Sequence, residues 1–201
     1  MSVIRFQFQP EKVAQALAFF AKAGLPELSK LKMAKLLYYA DKYHLLKYGR
    51  PVTGDVYYCL EHGPVPSASL NLMNDAISPT IFNGRRIGYD VVGQYLMVNT
   101  DKKNPEFTIN GDPVLDLLSG SDVEALDDTI SRYGQYSPWD LRNLTHRDAT
   151  WIIPDGQREP GCRADIPYEL FFEGQSSEVR EMLLLVEEEQ EQAKFADFLA
   201  R

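Results

Sequence analysis

The side chains best suited to chemistry in this 201-residue chain are three histidines, His44, His62 and His146, and two cysteines, Cys59 and Cys162. His62 follows Glu61, and His146 lies two residues before Asp148, so imidazole and carboxylate groups are available for a metal or acid–base site. The spacing does not support one. There is no H-E-x-x-H, no H-x-x-E-H and no paired-cysteine pattern. Nucleophile and phosphate-binding patterns are missing as well. No G-x-S-x-G is present, Gly63 leads into prolines, and Asn83-Gly84-Arg85-Arg86 lacks the spacing of a P-loop. The sequence therefore nominates no catalytic residue, no metal ligand and no cofactor, and a non-enzyme is expected. His44 falls inside a hydrophobic helical run and reads as a hydrogen-bonded core histidine. The cysteines are far apart and read as thiols of a reducing compartment.

Lys32, Lys35, Tyr39 and Lys42 repeat at three and four residues and so share one helical face, with Lys30, Lys47 and Arg50 nearby. This is the best basic patch in the chain. It reads as the solvated side of a helix, as a surface for an acidic partner, or as a contact for nucleic acid. A net charge of −8 disfavours non-specific nucleic-acid binding and suits a basic partner. No run of eighteen apolar residues and no basic-then-apolar leader occurs, so no membrane span or secretion signal is expected, and the location expected is cytoplasmic. An apolar content of 44% with 25% charged residues fits a folded globular protein with a substantial core.

The elements that position these residues follow from periodicity and punctuation. Residues 1–9 alternate weakly through Ile4, Phe6 and Phe8, as an edge strand or an ordered lead-in. Pro10 opens a helix that stops at Gly24. Ser29 is the expected N-cap of a helix from Lys30 to Tyr48 that is apolar around most of its circumference, which places it at the centre of a domain. Gly49 supplies a left-handed stop and Pro51 prevents the helix from resuming. Asp55 to Leu60 reads as a strand. His62-Gly63-Pro64-Val65-Pro66 reads as a rigid turn or a ligand-contacting loop, because each proline fixes its own φ and biases the residue before it. Ser67 is the expected cap of a helix to Ile77, followed by a loop from Ser78 to Gly93 with a turn signal at Asn83-Gly84. Tyr95–Val98 and Phe107–Ile109 read as a hairpin. Ser121 or Asp122 would cap the next helix, ending at Gly134, and Ser137-Pro138 starts another. The fold class is α+β: a mostly helical single domain around a buried central helix, with a small antiparallel sheet.

The chain divides on this reading into a core over residues 1–154 and a C-terminal extension over 155–201. The extension holds a loop, a short element from Ile166 to Phe172, and an amphipathic helix opened by Ser176 or Ser177. Val179, Met182, Leu183 and Val186 share its apolar face before the acidic run 187–191. Phe195, Phe198 and Leu199 follow. They read as a packed-back lid, a partner-binding helix or a degradation signal.

The stretch KLLYYADKYHLLKYGRPVTGDVYYCLEHGPVP resembles the signature of the Panacea domain family, described as SocA-like or GepA-like. A second block, Ser137-Pro138-Trp139-Asp140-Leu141 through Leu144-Thr145-His146-Arg147-Asp148 to Trp151, is similar to the family's closing element. Together they cover about Pro10 to Pro154. The resemblance implies an antitoxin of a bacterial or phage-borne toxin–antitoxin pair, with a cognate protein toxin as partner and no enzymatic activity. One branch of the family implies an alternative, an adaptor that delivers a toxin to a ClpXP-type protease. A third reading is a hydrolase or nucleic-acid-processing enzyme on an unfamiliar fold. Leu37, Tyr38, Gly49, His62, Gly63, Pro64, Val65, Pro66, Trp139, His146, Arg147 and Trp151 match the motif, mainly as structural residues. His146-Arg147-Asp148 would cap or pair around a turn that docks Trp151. Toxin contacts are expected from Lys32, Lys35, Tyr39, Lys42, Phe195, Phe198 and Leu199.

Overall fold

The computed structural model describes residues 4–79, 81–82 and 85–199, without the side chains of residues 82, 85–89, 197 and 199. Its first helix, α1 (Pro10–Lys22), is followed by α2 (Lys30–Tyr48), whose limits are those set by Ser29 and Gly49 in the sequence. Ser29 Oγ accepts from Lys32 N, and Gly49 takes φ +72°. A side chain at Gly49 would also press on Met182 and Val186 at 3.1 Å each, so small size matters there as well as φ.

Helix α2 is apolar on several faces because it separates two cores. Met33, Leu36, Leu37 and Ala40 join α1, α3 and α5 in the larger cluster, while Tyr38 and Leu45 join Tyr57, Cys59, Ile166, Tyr168, Phe171 and Phe172 in the smaller. A helix buried on both sides has no stripe to present.

Beside α2 lies a three-stranded antiparallel sheet of β1 (Tyr57–Leu60), β2 (Gly63–Pro66) and β7 (Ala164–Ile166), in the order β2-β1-β7. The Gly-Pro-Val-Pro segment, expected as a turn, is therefore an edge strand. Its register pairs Tyr58 with Val65 and Cys59 with Pro64. Successive residues of a strand direct their N–H groups to opposite sides, so Pro64 and Pro66 both fall at positions that need no donor toward β1. Ser67 N donates to Val56 O at 2.9 Å and continues that alternation.

Helix α3 (Ser67–Ile77) has no cap from its own neighbours. Asp55 replaces the Ser67 cap that the sequence suggested. Its Oδ1 accepts from Ala68 N at 2.9 Å and Val56 N at 2.7 Å, and its Oδ2 from Ser69 N and Oγ at 2.7 Å each. The segment expected as a loop after Ser78 contains β3 (Ile81–Phe82), β4 (Arg85–Arg86) and a short helix α4 (Ile87–Val92). The Asn83-Gly84 turn signal lies outside the described residues. The expected hairpin forms as β5 (Leu96–Asn99) and β6 (Glu106–Ile109). Helix α5 (Gly120–Tyr133) is capped by Ser119, ahead of the expected Ser121 or Asp122, because Ser119 and Asp122 make a reciprocal capping box. Helices α6 (Pro138–Thr145) and α7 (Ala149–Asp155) follow, capped by Ser137 and Asp148.

The segment after α7 packs against the elements before it. Strand β7 pairs with β1, and a 3-10 helix (Tyr168–Phe172) fills the smaller core. Helix α8 (Ser177–Leu199) buries Val186, with Val179, Met182 and Leu183 packed on the same core. The lead-in from Ile4 to Gln9 is irregular rather than a strand. No helix among the described residues is long and apolar enough to cross a membrane.

Because Leu37 is fully buried in the larger core, Leu37→Ala leaves a cavity on top of its lost transfer energy. We expect a stability loss of about 2–5 kcal/mol, read as a lower denaturation midpoint at unchanged m-value.

Candidate functional site

The two motif blocks meet at the turn between β1 and β2. Three side chains from three helices donate to carbonyls of this hairpin. Lys35 Nζ of α2 reaches Pro64 O at 2.7 Å, Arg142 Nη2 of α6 reaches Glu61 O at 3.3 Å, and Trp151 Nε1 of α7 reaches Leu60 O at 3.0 Å. Gly63 makes the approach possible. Its φ is +95°, and a Cβ there would stand 2.6 Å from Thr145 Oγ1 and 2.8 Å from Lys35 Nζ.

Helix α7 is held from the other side. Asp148 caps it and pairs with Lys42 of α2. Thr150 Oγ1 donates to Asp148 at 3.1 Å, which leaves Tyr38 OH to donate to Thr150 at 2.6 Å. His146 stacks on the Trp151 ring, 3.7 Å between centroids and 12° between planes. The His146-Arg147-Asp148 segment thus caps and orients the helix carrying Trp151, while Arg147 itself is exposed.

The lysine face expected on α2 is not a solvent-facing patch. Lys32 and Lys35 are buried, Lys32 donating to Pro26 O at 2.6 Å. Tyr39 stacks on Tyr133 at 3.9 Å, and Lys42 is engaged by Asp148. Spacing located the face correctly and mistook its environment, because long cationic stems with backbone acceptors enter a core that point charges avoid. Phe195 and Phe198 are 63% and 74% exposed, and the side chain of Leu199 lies outside the described residues. His44 is a core histidine, its Nδ1 2.5 Å from Arg50 O and its Nε2 3.0 Å from Ser121 Oγ. Among the described residues, no three His, Cys, Asp or Glu side chains gather to hold a metal ion.

What the hairpin builds is a groove of about 670 Å³ between it, α2 and the loop after α7. Leu31 and Ala34 of α2, Leu60 and Val65 of the hairpin, Leu70 and Pro160 form its apolar wall. His62 and Trp139 stand at its rim, rings edge to face with centroids 5.5 Å apart. Trp139, expected as a structural motif residue, is 55% exposed. Lys35 lines the groove from beneath, its ammonium pushed down to about 7 by burial and by Arg142 nearby. Burial, with Arg142 and Lys35 close, lowers His146 to about 4. Sequence reasoning missed Arg142 and Arg158, which only the folded chain brings to this place.

A model of the family described as "Antitoxin SocA-like, Panacea domain" matches residues 33–152, which holds both motif blocks and the hairpin they clamp. The chain belongs to the SocA-like Panacea family. No curated protein and no solved structure matches it. In this chain the two motif blocks are the two sides of one clamp on a β-turn.

Two predictions follow from this geometry. Gly63→Ala combines a positive φ with two contacts shorter than real Cβ atoms tolerate, and should destabilise the protein by about 2–4 kcal/mol, measured by chemical denaturation. His146 binds its proton less well folded than unfolded. Its stabilising contribution is complete above about pH 6.5 and is lost as pH falls through 6.5 toward 4. Asp41, raised to about 6 by burial, acts in the opposite sense, gaining stability as pH falls from 6 toward its unfolded value. The drop in Tm between pH 7 and 5 should therefore shrink in His146→Phe, which keeps the stack and removes the titration.

Proposed function

We propose that this Panacea protein is an antitoxin that neutralises a protein toxin encoded beside it, by binding it directly and without catalysis. Membership of the SocA-like antitoxin family supports this reading. The single observation that carries it on this chain is Trp139, an indole over half exposed on an apolar groove. Tryptophan dominates the energetics of protein interfaces because it buries a large rigid area against a pocket. A standard interface of about 1,600 Å² centred there suffices to cover a toxin's working surface.

This reading needs no cofactor and no nucleic acid, and it places the complex in the cytoplasm. It moves the contact surface from the lysine face to the groove, with the exposed Phe195 and Phe198 as a second contact. That second surface also favours an adaptor mechanism, in which the groove holds the toxin and the end of α8 meets a ClpXP-type protease. Residues 191–196 and 198 are all exposed, as an element that docks elsewhere requires.

The test is to induce the adjacent open reading frame alone, with this protein, and with its Trp139→Ala variant, then co-purify the pair. Inhibition predicts rescue of growth, a stable complex, and loss of both with Trp139→Ala at unchanged Tm. Rescue that vanishes when the protease is deleted selects the adaptor. A harmless neighbour with no complex defeats both.

A further inference from the structure

Helix α8 changes sides along its length. Val179, Met182, Leu183 and Val186 dock its first half on the smaller core. Gln190 extends that inner stripe, donating from Nε2 to Arg5 O at 2.6 Å and accepting from Arg5 N at 3.0 Å. One turn further the same stripe offers only Ala193, which is exposed. The large apolar side chains lie elsewhere. With about 3.6 residues per turn, Phe195 stands about 180° around the helix from Val186. Leu184, Glu188, Glu191, Phe195 and Phe198 recur at four, three, four and three residues, so they form an outer stripe about 21 Å long. All five are exposed, the three apolar ones by more than half. An end that folded back as a lid would continue the inner stripe, and this one turns its phenylalanines away from the body.

The outer stripe reads apolar, acidic, apolar, and charge decides what can cover it. A second copy laid along it would set glutamates against glutamates at its middle, whether the two helices ran parallel or antiparallel. An anionic membrane surface would be repelled by the same carboxylates. A cationic surface is favoured, as it is by the net charge of −8 on the whole chain. We propose that the outer stripe of α8 seats in a cleft of the protein toxin, apolar at both ends and lined by lysine or arginine between them. This rests on the antitoxin reading and adds the chemistry of the toxin surface recognised. Phe195 and Phe198 enter one end of the cleft, Leu184 enters the other, and Glu188 and Glu191 pair with the cations.

The arrangement suits tight binding because α8 is held before a partner arrives. The inner stripe and the two Gln190 hydrogen bonds already fix the helix, so less ordering opposes association. Ion pairs at a helix surface are screened by salt, and aromatic burial is not. Ionic strength therefore separates the acidic part of the stripe from its apolar ends. All five side chains are exposed, so substituting them leaves the fold intact.

The experiment is calorimetric titration of the intact chain with the protein encoded by the adjacent open reading frame, at about 50 and about 500 mM salt. Affinity should fall about tenfold or more from the lower salt to the higher. Phe195→Ala/Phe198→Ala should bind about 100-fold more weakly at both salts, with Tm unchanged. Glu188→Gln/Glu191→Gln should bind about tenfold more weakly at low salt and lose most of the salt dependence. Asp101→Asn/Asp127→Asn, an equal change of charge at exposed positions elsewhere, should leave affinity as it was. Tight binding that ignores both α8 pairs overturns the inference and leaves the antitoxin reading standing. So does a loss confined to the phenylalanine pair, which would make the cleft wholly apolar. Sedimentation of the free chain as a dimer that the phenylalanine pair abolishes overturns it too, by giving the stripe to a second copy. No binding by the wild type overturns the antitoxin reading, and the inference falls with it.

Discussion

The contact on which the rest of this structure depends is the buried ammonium of Lys35 against the carbonyl of Pro64. A lysine enters a core only where an acceptor and close packing offset its desolvation. Here the acceptor belongs to a strand whose prolines leave no spare donors to compete for it. The approach requires a residue without a side chain at position 63, which glycine supplies. With Arg142 and Trp151 on the neighbouring carbonyls, the turn is fixed from three helices at once. Each helix is held in turn by the turn it grips, so the position of the groove follows from packing rather than from loop preference.

A second buried system sets the far end of the same sheet. Asp41 of α2 accepts from Thr53 N at 2.9 Å, from Thr53 Oγ1 and from Tyr57 OH at 2.8 Å. Asp55 ties the start of β1 to α3, and Tyr168 OH donates to Asp55 O at 2.6 Å. The two carboxylates thereby join α2, β1 and α3, and the Asp55 carbonyl adds the 3-10 helix. Burial pushes both upward, and their hydrogen bonds oppose that rise. Fully satisfied polar networks of this kind specify one arrangement of elements where apolar packing alone would allow several.

Much of the fold was legible in the sequence because its signals are local. Ser29 and Gly49 bound α2, Ser137-Pro138 starts α6, and the apolar circumference of α2 announces a helix buried on both sides. The misreadings share one cause, which is partners distant in sequence. Gly-Pro-Val-Pro has the composition of a turn, and only the edge position beside β1 makes it a strand. Asp55 caps a helix that begins twelve residues later. The lysines of α2 have the spacing of a solvated face, and the carbonyls of Pro26 and Pro64 take them inside. For the site, the motif blocks were visible as sequence. Their meeting around one turn was not, since the residues in contact are some eighty to ninety positions apart.

The division of labour within the motif bears on how one scaffold serves recognition. Lys35, Gly63 and Trp151 act through the clamp, where a change of one atom disturbs packed neighbours. Trp139 and His62 are directed outward from the same clamp and touch each other at the rim. Substitutions at exposed rim positions usually change stability by about 0.5 kcal/mol or less, whereas those in the clamp cost about 2–4 kcal/mol. A partner surface can thus be altered at the rim while its position relative to the groove floor stays set.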